Sequence, residues 1–163
     1  MALTPAQLTT LKADIQGNTN QTVIDALAAG ANNAIADWYN ETASPDWWVY
    51  KLNVPIEEVS EAIELDDIAN MTTGDNEKLK TFYALRTASG VFPSKASERT
   101  GFDDIFSAAA GDDSQQALAA LWRRTASNFE KLFSTGTGSN ADPATMEVQG
   151  PVSIQDIRDA LAS

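Results

Sequence analysis

Residues 114–134 read SQQALAALWRRTASNFEKLFS, the stretch with the longest sustained apolar period in the chain. Its mostly apolar inward positions recur at spacings of three and four: Leu118, Leu121, Trp122, Thr125, Phe129, Leu132 and Phe133. That spacing places them on one face of an α-helix. Ser114 can cap the start of this helix, and Gly136 can close it. The stretch therefore predicts one central helix of about five turns, with Leu121 and Phe129 buried.

Helix signals also precede this stretch. Near the N-terminus, Thr4 can cap a helix with Pro5 in its first position and Gln7 reaching back in a capping box. Val54-Pro55 predicts another helix start, and so does Ser44-Pro45, although the aromatic residues after it could form a helical turn or a short strand. Together these signals predict an all-α fold, a multi-helix bundle.

The C-terminal part of the chain has a different character. Residues 134–143 are rich in Gly, Ser and Thr and predict a flexible loop. The alternation over residues 145–149 is a weak strand signal, and Ser153 can cap a closing helix. We therefore divide the chain into a helical domain, 1–134, and a flexible loop and C-terminal arm, 135–163, which is expected to extend from the bundle.

The composition excludes several chemistries. The 163 residues include no His and no Cys, which removes His bases, Cys nucleophiles, ordinary zinc ligation and disulfides. The paired acids at 66–67, 103–104 and 112–113 lack the spacing of a calcium-binding loop. The loop at 136–139 follows a helix and lacks the Lys of a phosphate-binding loop. We expect no catalytic residue, no cofactor and no metal.

Charge is distributed unevenly along the chain. The formal net charge is -12, with 23 Asp plus Glu against 11 Lys plus Arg, which disfavours duplex DNA as a partner. Residues 57–77 hold eight acids and no Lys or Arg, whereas residues 78–99 hold five bases and one acid. The two segments are either separately solvated faces or surfaces that meet between copies in a head-to-tail oligomer. The second hypothesis assigns to a subunit interface Glu57, Glu58, Glu61, Glu64, Lys78, Lys80, Arg86, Lys95 and Arg99.

Two adjacent tryptophans, Trp47 and Trp48, form a second candidate surface. Neighbouring residues on a helix or strand cannot both face the same core. At least one of the two is therefore expected to be exposed or held in an interface.

Several motifs carry a family resemblance. LTPAQL at 3–8, Ser44-Pro45, Val54-Pro55, FEKLFSTGTG at 129–138 and DPATM at 142–146 resemble small structural proteins of tailed bacteriophages. The chain looks like a neck component, similar to head-to-tail adaptor (connector) proteins. That resemblance implies a ring, commonly dodecameric, between the portal protein and the next neck or tail protein, through which DNA passes without specific binding.

The same resemblance implies that the arm contacts the portal. Such adaptors have no catalytic residues to carry over. The arm residues that this analogy assigns to partner binding are Thr137, Asp142, Met146, Val148, Ile154, Ile157 and Leu161.

Other classes of protein share these features. They are a tail-completion, tail-terminator or head-decoration protein, an acidic DNA-mimic inhibitor, or a small hydrolase with a carboxylate pair. No stretch has the length and apolarity of a transmembrane helix, and the N-terminus lacks the features of a signal peptide. The expected location is the virion neck, after synthesis in the host cytoplasm and without a membrane partner.

Overall fold

The structure is a computed structural model that describes residues 2–86, 89–106 and 112–163. Within these ranges the chain is mostly helical, as the sequence predicts, and it also contains two short strand pairs. The helices are α1 (Pro5–Gly17), α2 (Gln21–Ala29), α3 (Asn32–Asn40), α4 (Ile56–Ala62), α5 (Leu65–Asn70), α6 (Thr73–Arg86), α7 (Ala96–Ile105), α8 (Asp112–Leu121), α9 (Asn128–Leu132) and α10 (Ile154–Ala162). The strands are β1 (Trp48–Tyr50), β2 (Arg123–Thr125), β3 (Ser134–Thr135) and β4 (Thr145–Met146).

The capping signals act as predicted at both ends of the chain. At α1 the Thr4 hydroxyl accepts from the Gln7 backbone N–H at 3.3 Å, and the Thr4 N–H donates to the Gln7 side chain at 2.9 Å. Ser153 forms the same reciprocal box with Asp156 at the start of α10. Each box satisfies two backbone N–H donors that the start of the helix would otherwise leave unpaired.

The first hydrophobic core joins the two ends of the chain. It contains Leu11 and Ile15 from α1 together with Ile157 and Ala160 from α10, all 0% or 1% exposed. In the same core, Tyr39 donates a hydrogen bond to the Asp14 carboxylate. Burial, and then this hydrogen bond, raise the pKa of the Tyr39 hydroxyl far above its ordinary value.

This packing corrects the expectation of an extended arm. Val148, Val152 and Ile157 lie in one apolar cluster with α1, α2, α3 and α9, so the cluster crosses residue 134. The loop before them is also held: the Gly138 carbonyl accepts from the Trp48 N–H at 2.8 Å. The apolar residues at 148, 152, 157 and 160 outweigh the Gly/Ser/Thr loop, because burying each of them stabilises the docked position.

The second core lies among α4, α6, α7 and α8. Phe102 is at its centre, with ring centroids 4.5 Å from Phe82 and 5.3 Å from Trp122. The start of α8 is fixed to α5, because the Ser114 N–H donates to Asp67 at 2.8 Å and the Ser114 hydroxyl accepts from the Glu64 N–H at 2.9 Å. Ser114 therefore lies inside α8 rather than at its cap.

The prediction of one central helix over residues 114–134 is wrong. The stretch forms α8, β2 and α9, because residues 123–125 pair antiparallel with β1 in the register Trp48↔Thr125. Ser127 then caps a new helix through a capping box with Glu130. Phe129 is buried as predicted, at 2% exposed, whereas Leu121 is only partly buried.

The prediction that a helix starts at Ser44-Pro45 is also wrong. Its peptide bond is cis, no helix begins there, and the aromatic residues after it form β1. Of the two conformations that the sequence left open for them, the strand is the one adopted. The weak strand signal at 145–149 corresponds to β4, which pairs with β3.

Candidate functional site

A pocket of about 170 Å³ lies between α7, α8, β1 and the loop that joins β3 to β4. Its floor is apolar and buried: Phe102 is 2%, Leu118 1% and Trp122 5% exposed. Its rim carries two partly buried arginines, Arg99 from α7 and Arg123 from β2. We call this the arginine pocket.

Each arginine is positioned by an aromatic ring and a backbone carbonyl. The Arg99 guanidinium carbon lies 3.8 Å from the centre of the Tyr50 ring, and Arg99 donates to the Pro93 carbonyl. The Arg123 guanidinium lies 5.9 Å from the Trp48 ring centre and donates to the Asn140 carbonyl. Aromatic faces attract guanidinium groups and leave most of their N–H donors available.

Neither arginine has an ion-pair partner among the residues that the structure describes. Within residues 2–86, 89–106 and 112–163, no carboxylate oxygen lies within 4.0 Å of the Arg99 or Arg123 guanidinium nitrogens. Asp103 also lines the pocket and accepts a hydrogen bond from the neutral Gln115 amide at 3.3 Å, so the lining carries one negative and two positive charges. The pocket thus combines an apolar floor with two positive groups whose preferred partners are carboxylates or phosphates.

An acidic surface lies on α4 and the start of α5. Glu57, Glu58, Glu61 and Glu64 are exposed, as is Asp66, and none of these side chains forms an ion pair with a described base. Asp67 is the exception in this stretch, since it is buried against Ser114. We call the five exposed carboxylates the acidic surface.

Comparisons with protein-family models, curated proteins and solved structures found no match. In the described part of the chain, no cluster of three or more potential ligands could hold a metal ion. Over the same residues, no helix combines the length and the apolarity needed to cross a membrane.

Most bases of the predicted interface are paired within the chain. Lys78 contacts Asp75 at 2.9 Å and Lys80 contacts Glu77 at 2.8 Å. Arg86 lies 2.9 Å from Glu98, and Lys95 lies 4.0 Å from the same carboxylate. Of the five predicted bases, Arg99 alone lines the arginine pocket without a described carboxylate partner.

The ion pair between Lys78 and Asp75 at the start of α6 shifts the pKa of both groups. Hydrogen bonds from Thr72 and then from Lys78 hold the pKa of the Asp75 carboxyl below its ordinary value. The same bond raises the pKa of the Lys78 amine. Both groups are solvent-accessible, so salt screens the attraction between them. The pair therefore stabilises the local turn and does not bind a distant surface.

Arg123 was not predicted from the sequence. It lies inside a stretch that reads as a helix, and only its pairing with β1 brings it beside Arg99. The available signal was the cationic Arg123-Arg124 pair directly after Trp122, which interrupts the apolar period.

Trp47 directly precedes β1 and Trp48 is its first residue, and their side chains lie on opposite faces of the strand. The Trp47 indole N–H donates to the Ser134 hydroxyl at 2.8 Å, and its ring packs over Gly138. Trp48 lies on the other face beside Arg123. Both side chains are partly buried, so neither is freely exposed.

The predicted portal-contacting residues separate into buried and exposed sets. Met146, Val148 and Ile157 are buried and Leu161 is partly buried, so these serve the core. Ile154 is 43% exposed. Thr137 is exposed and donates to the backbone carbonyl of Asp142 at 2.7 Å, which closes the loop between β3 and β4.

Proposed function

We propose that this chain is a structural protein of a tailed-bacteriophage neck, the head-to-tail adaptor that forms a ring between the portal and the next neck or tail protein. The proposal is supported by the sequence resemblance and by one structural observation. The arginine pocket and the acidic surface occur on the same chain, and no ion pair joins them within the described residues. Copies of the chain can therefore satisfy each other's charges.

The positions of the two surfaces favour head-to-tail association. The acidic surface adjoins the start of α8 through the Asp67–Ser114 hydrogen bond, and Arg123 follows the end of α8. From Ser114 to Leu121 the helix spans about 10 Å, at 1.5 Å per residue. A surface and its complement at separate places generate heterologous contacts, which close into rings when the rotation allows.

The net charge also suits a conduit for DNA. At -12 per copy, a ring repels the phosphate backbone over most of its surface and shortens the residence of passing DNA. A tail-completion, tail-terminator or head-decoration role would use the same self-association. Binding to a portal ring separates the adaptor from these alternatives.

The native mass of the purified chain tests the proposal. We expect a closed oligomer at low salt, a smaller assembled fraction at 0.5 M salt, and a complex of defined stoichiometry when the portal ring is added. Glu58→Lys should weaken assembly, with Asp159→Lys on α10 as the matched charge control. A chain that stays monomeric at high concentration, and does not bind the portal, would contradict the adaptor role.

A further inference from the structure

Leu65 is an unusual exposed residue. It is 79% exposed, more than any other large apolar side chain in the described ranges, and it begins α5. Its neighbours Glu64 and Asp66 are exposed carboxylates without a described base. Residues 64–66 thus present one apolar side chain between two negative charges. We call this segment the acidic knob.

The arginine pocket has the complementary pattern. Its floor of Phe102, Leu118 and Trp122 is apolar, and no described carboxylate lies within 4.0 Å of the Arg99 and Arg123 guanidinium nitrogens at its rim. A cavity of about 150 Å³ can hold a benzene-sized group, so about 170 Å³ is sufficient for a leucine side chain. The pocket is therefore apolar at its floor and carries the two arginine cations at its entrance.

We propose that the acidic knob of one copy docks in the arginine pocket of the next. Leu65 covers the apolar floor, and the carboxylates of Glu64 and Asp66 bind Arg99 and Arg123 at the rim. This inference rests on the proposed ring and names the contact that builds it. Each copy contributes a residue to the site of its neighbour, and each pocket is incomplete without it.

The exposed leucine is what favours a second copy over a free carboxylic acid. A solvated carboxylate alone would explain the arginines, but it would leave Leu65 in water. Docking removes the exposed Leu65 side chain from water. The flanking ion pairs then hold the knob at the pocket entrance, because each of its two carboxylates gains an arginine partner.

Engineered cysteines provide a direct test, since the chain has none of its own. Ala119 lines the pocket and is exposed, so Leu65→Cys combined with Ala119→Cys should form disulfides between copies under mild oxidation. A ladder of cross-linked species is expected on a denaturing gel, and 0.5 M salt should reduce it. Each single variant should give dimers at most, and Leu85→Cys with Ala119→Cys is the matched control, because Leu85 is also exposed, at 73%.

Complementation gives a second test with a different readout. Leu65→Ser removes the knob and leaves the pocket, whereas Arg123→Gln weakens the pocket and leaves the knob. Each variant alone should raise the concentration of half-assembly at least tenfold, while an equimolar mixture should form a one-to-one dimer that goes no further. Leu85→Ser and Arg158→Gln, which leave both surfaces intact, should assemble as the unmodified chain does.

The outcomes separate this contact from the wider proposal. A ring that forms normally with Leu65→Ser and gives no cross-link at position 119 overturns the knob-and-pocket contact and leaves the adaptor ring standing. A chain that neither assembles nor cross-links at high concentration overturns both. Saturable binding of benzoate that is abolished by Arg123→Gln, with no cross-link, assigns the pocket to a small carboxylate instead.

Discussion

Arg124 binds Glu130 through two parallel hydrogen bonds, of 2.7 Å from Nη1 and 2.6 Å from Nη2. The same carboxylate accepts from the Gly150 N–H at 3.0 Å and from the Ser127 N–H at 3.2 Å. Glu130 is 4% exposed, so these bonds are largely shielded from water. One side chain therefore ties β2, α9 and the segment before α10 together.

Glu130→Gln should reduce the free energy of unfolding by about 3 kcal/mol, because it leaves the Arg124 guanidinium without its counter-charge. Urea denaturation followed by circular dichroism measures the change. Glu41→Gln, at an exposed site without a described side-chain partner and outside the acidic surface, should stay within about 0.5 kcal/mol of the unmodified chain. Equal effects of the two substitutions would show that the Arg124–Glu130 pair adds no stability.

The same carboxylate predicts a pH dependence of stability. Burial raises the pKa of Glu130, but hydrogen bonds from Arg124, Gly150 and Ser127 outweigh it and hold the pKa below its ordinary value. Because the folded pKa lies below the unfolded pKa of about 4.3, the ion stabilises fully above that pH and less as the pH falls through the folded value. Below about pH 4.3, stability should therefore fall more steeply for the unmodified chain than for Glu130→Gln. Parallel curves between pH 7 and 3 would contradict this assignment.

Two leucines on α8 should differ in their contribution to the second core. Leu118 is 1% exposed and lies among Phe102 and Trp122, whereas Leu121 is only partly buried. Leu118→Ala should cost about 2–5 kcal/mol, and Leu121→Ala about 1 kcal/mol. Thermal and urea unfolding of the two variants measure the difference. The reverse order would mean that the face of α8 is misassigned.

The loop after β3 depends on a glycine beneath an aromatic ring. At Gly138 φ is +63°, and a Cβ would lie 2.1 Å from Trp47 Cε2. Gly30 has nearly the same φ, +65°, with nothing within 4 Å of a Cβ. Gly30→Ala should cost about 1 kcal/mol for the backbone conformation, and Gly138→Ala about 2 kcal/mol more for the displaced indole. The near-ultraviolet circular dichroism of Trp47 should change only in the second variant.

The parts of this fold that could be predicted from the sequence are those decided locally. Thr4 with Gln7, and the cap residue Ser153, act within three residues, so their helices begin where the sequence indicates. The helix predicted at 114–134 failed because its middle pairs with β1, more than 70 residues earlier in the chain. Apolar spacing carries no information about such a distant strand partner.

The candidate site was predictable to a similar extent. The charge along the sequence changes from acidic to basic at residues 77–78, and this change indicated the acidic surface and Arg99. Most of the expected basic surface is absent, because carboxylates of the same chain pair with Lys78, Lys80, Arg86 and Lys95. The position of Arg123 beside Arg99 could be recognised only in the folded structure. Which charges remain without a partner is a property of the fold rather than of the sequence order.

The packing of α1 against α10 affects how the chain folds during its synthesis. Leu11, Ile15 and Val23 are made first, but the side chains that cover them include Ile157 and Ala160, more than 130 residues later. Contacts of such separation slow folding, since a long loop must close before they reward it. The first three helices therefore leave the ribosome with an apolar face that stays uncovered until residue 160 has emerged, and transiently exposed apolar surface of this kind promotes aggregation.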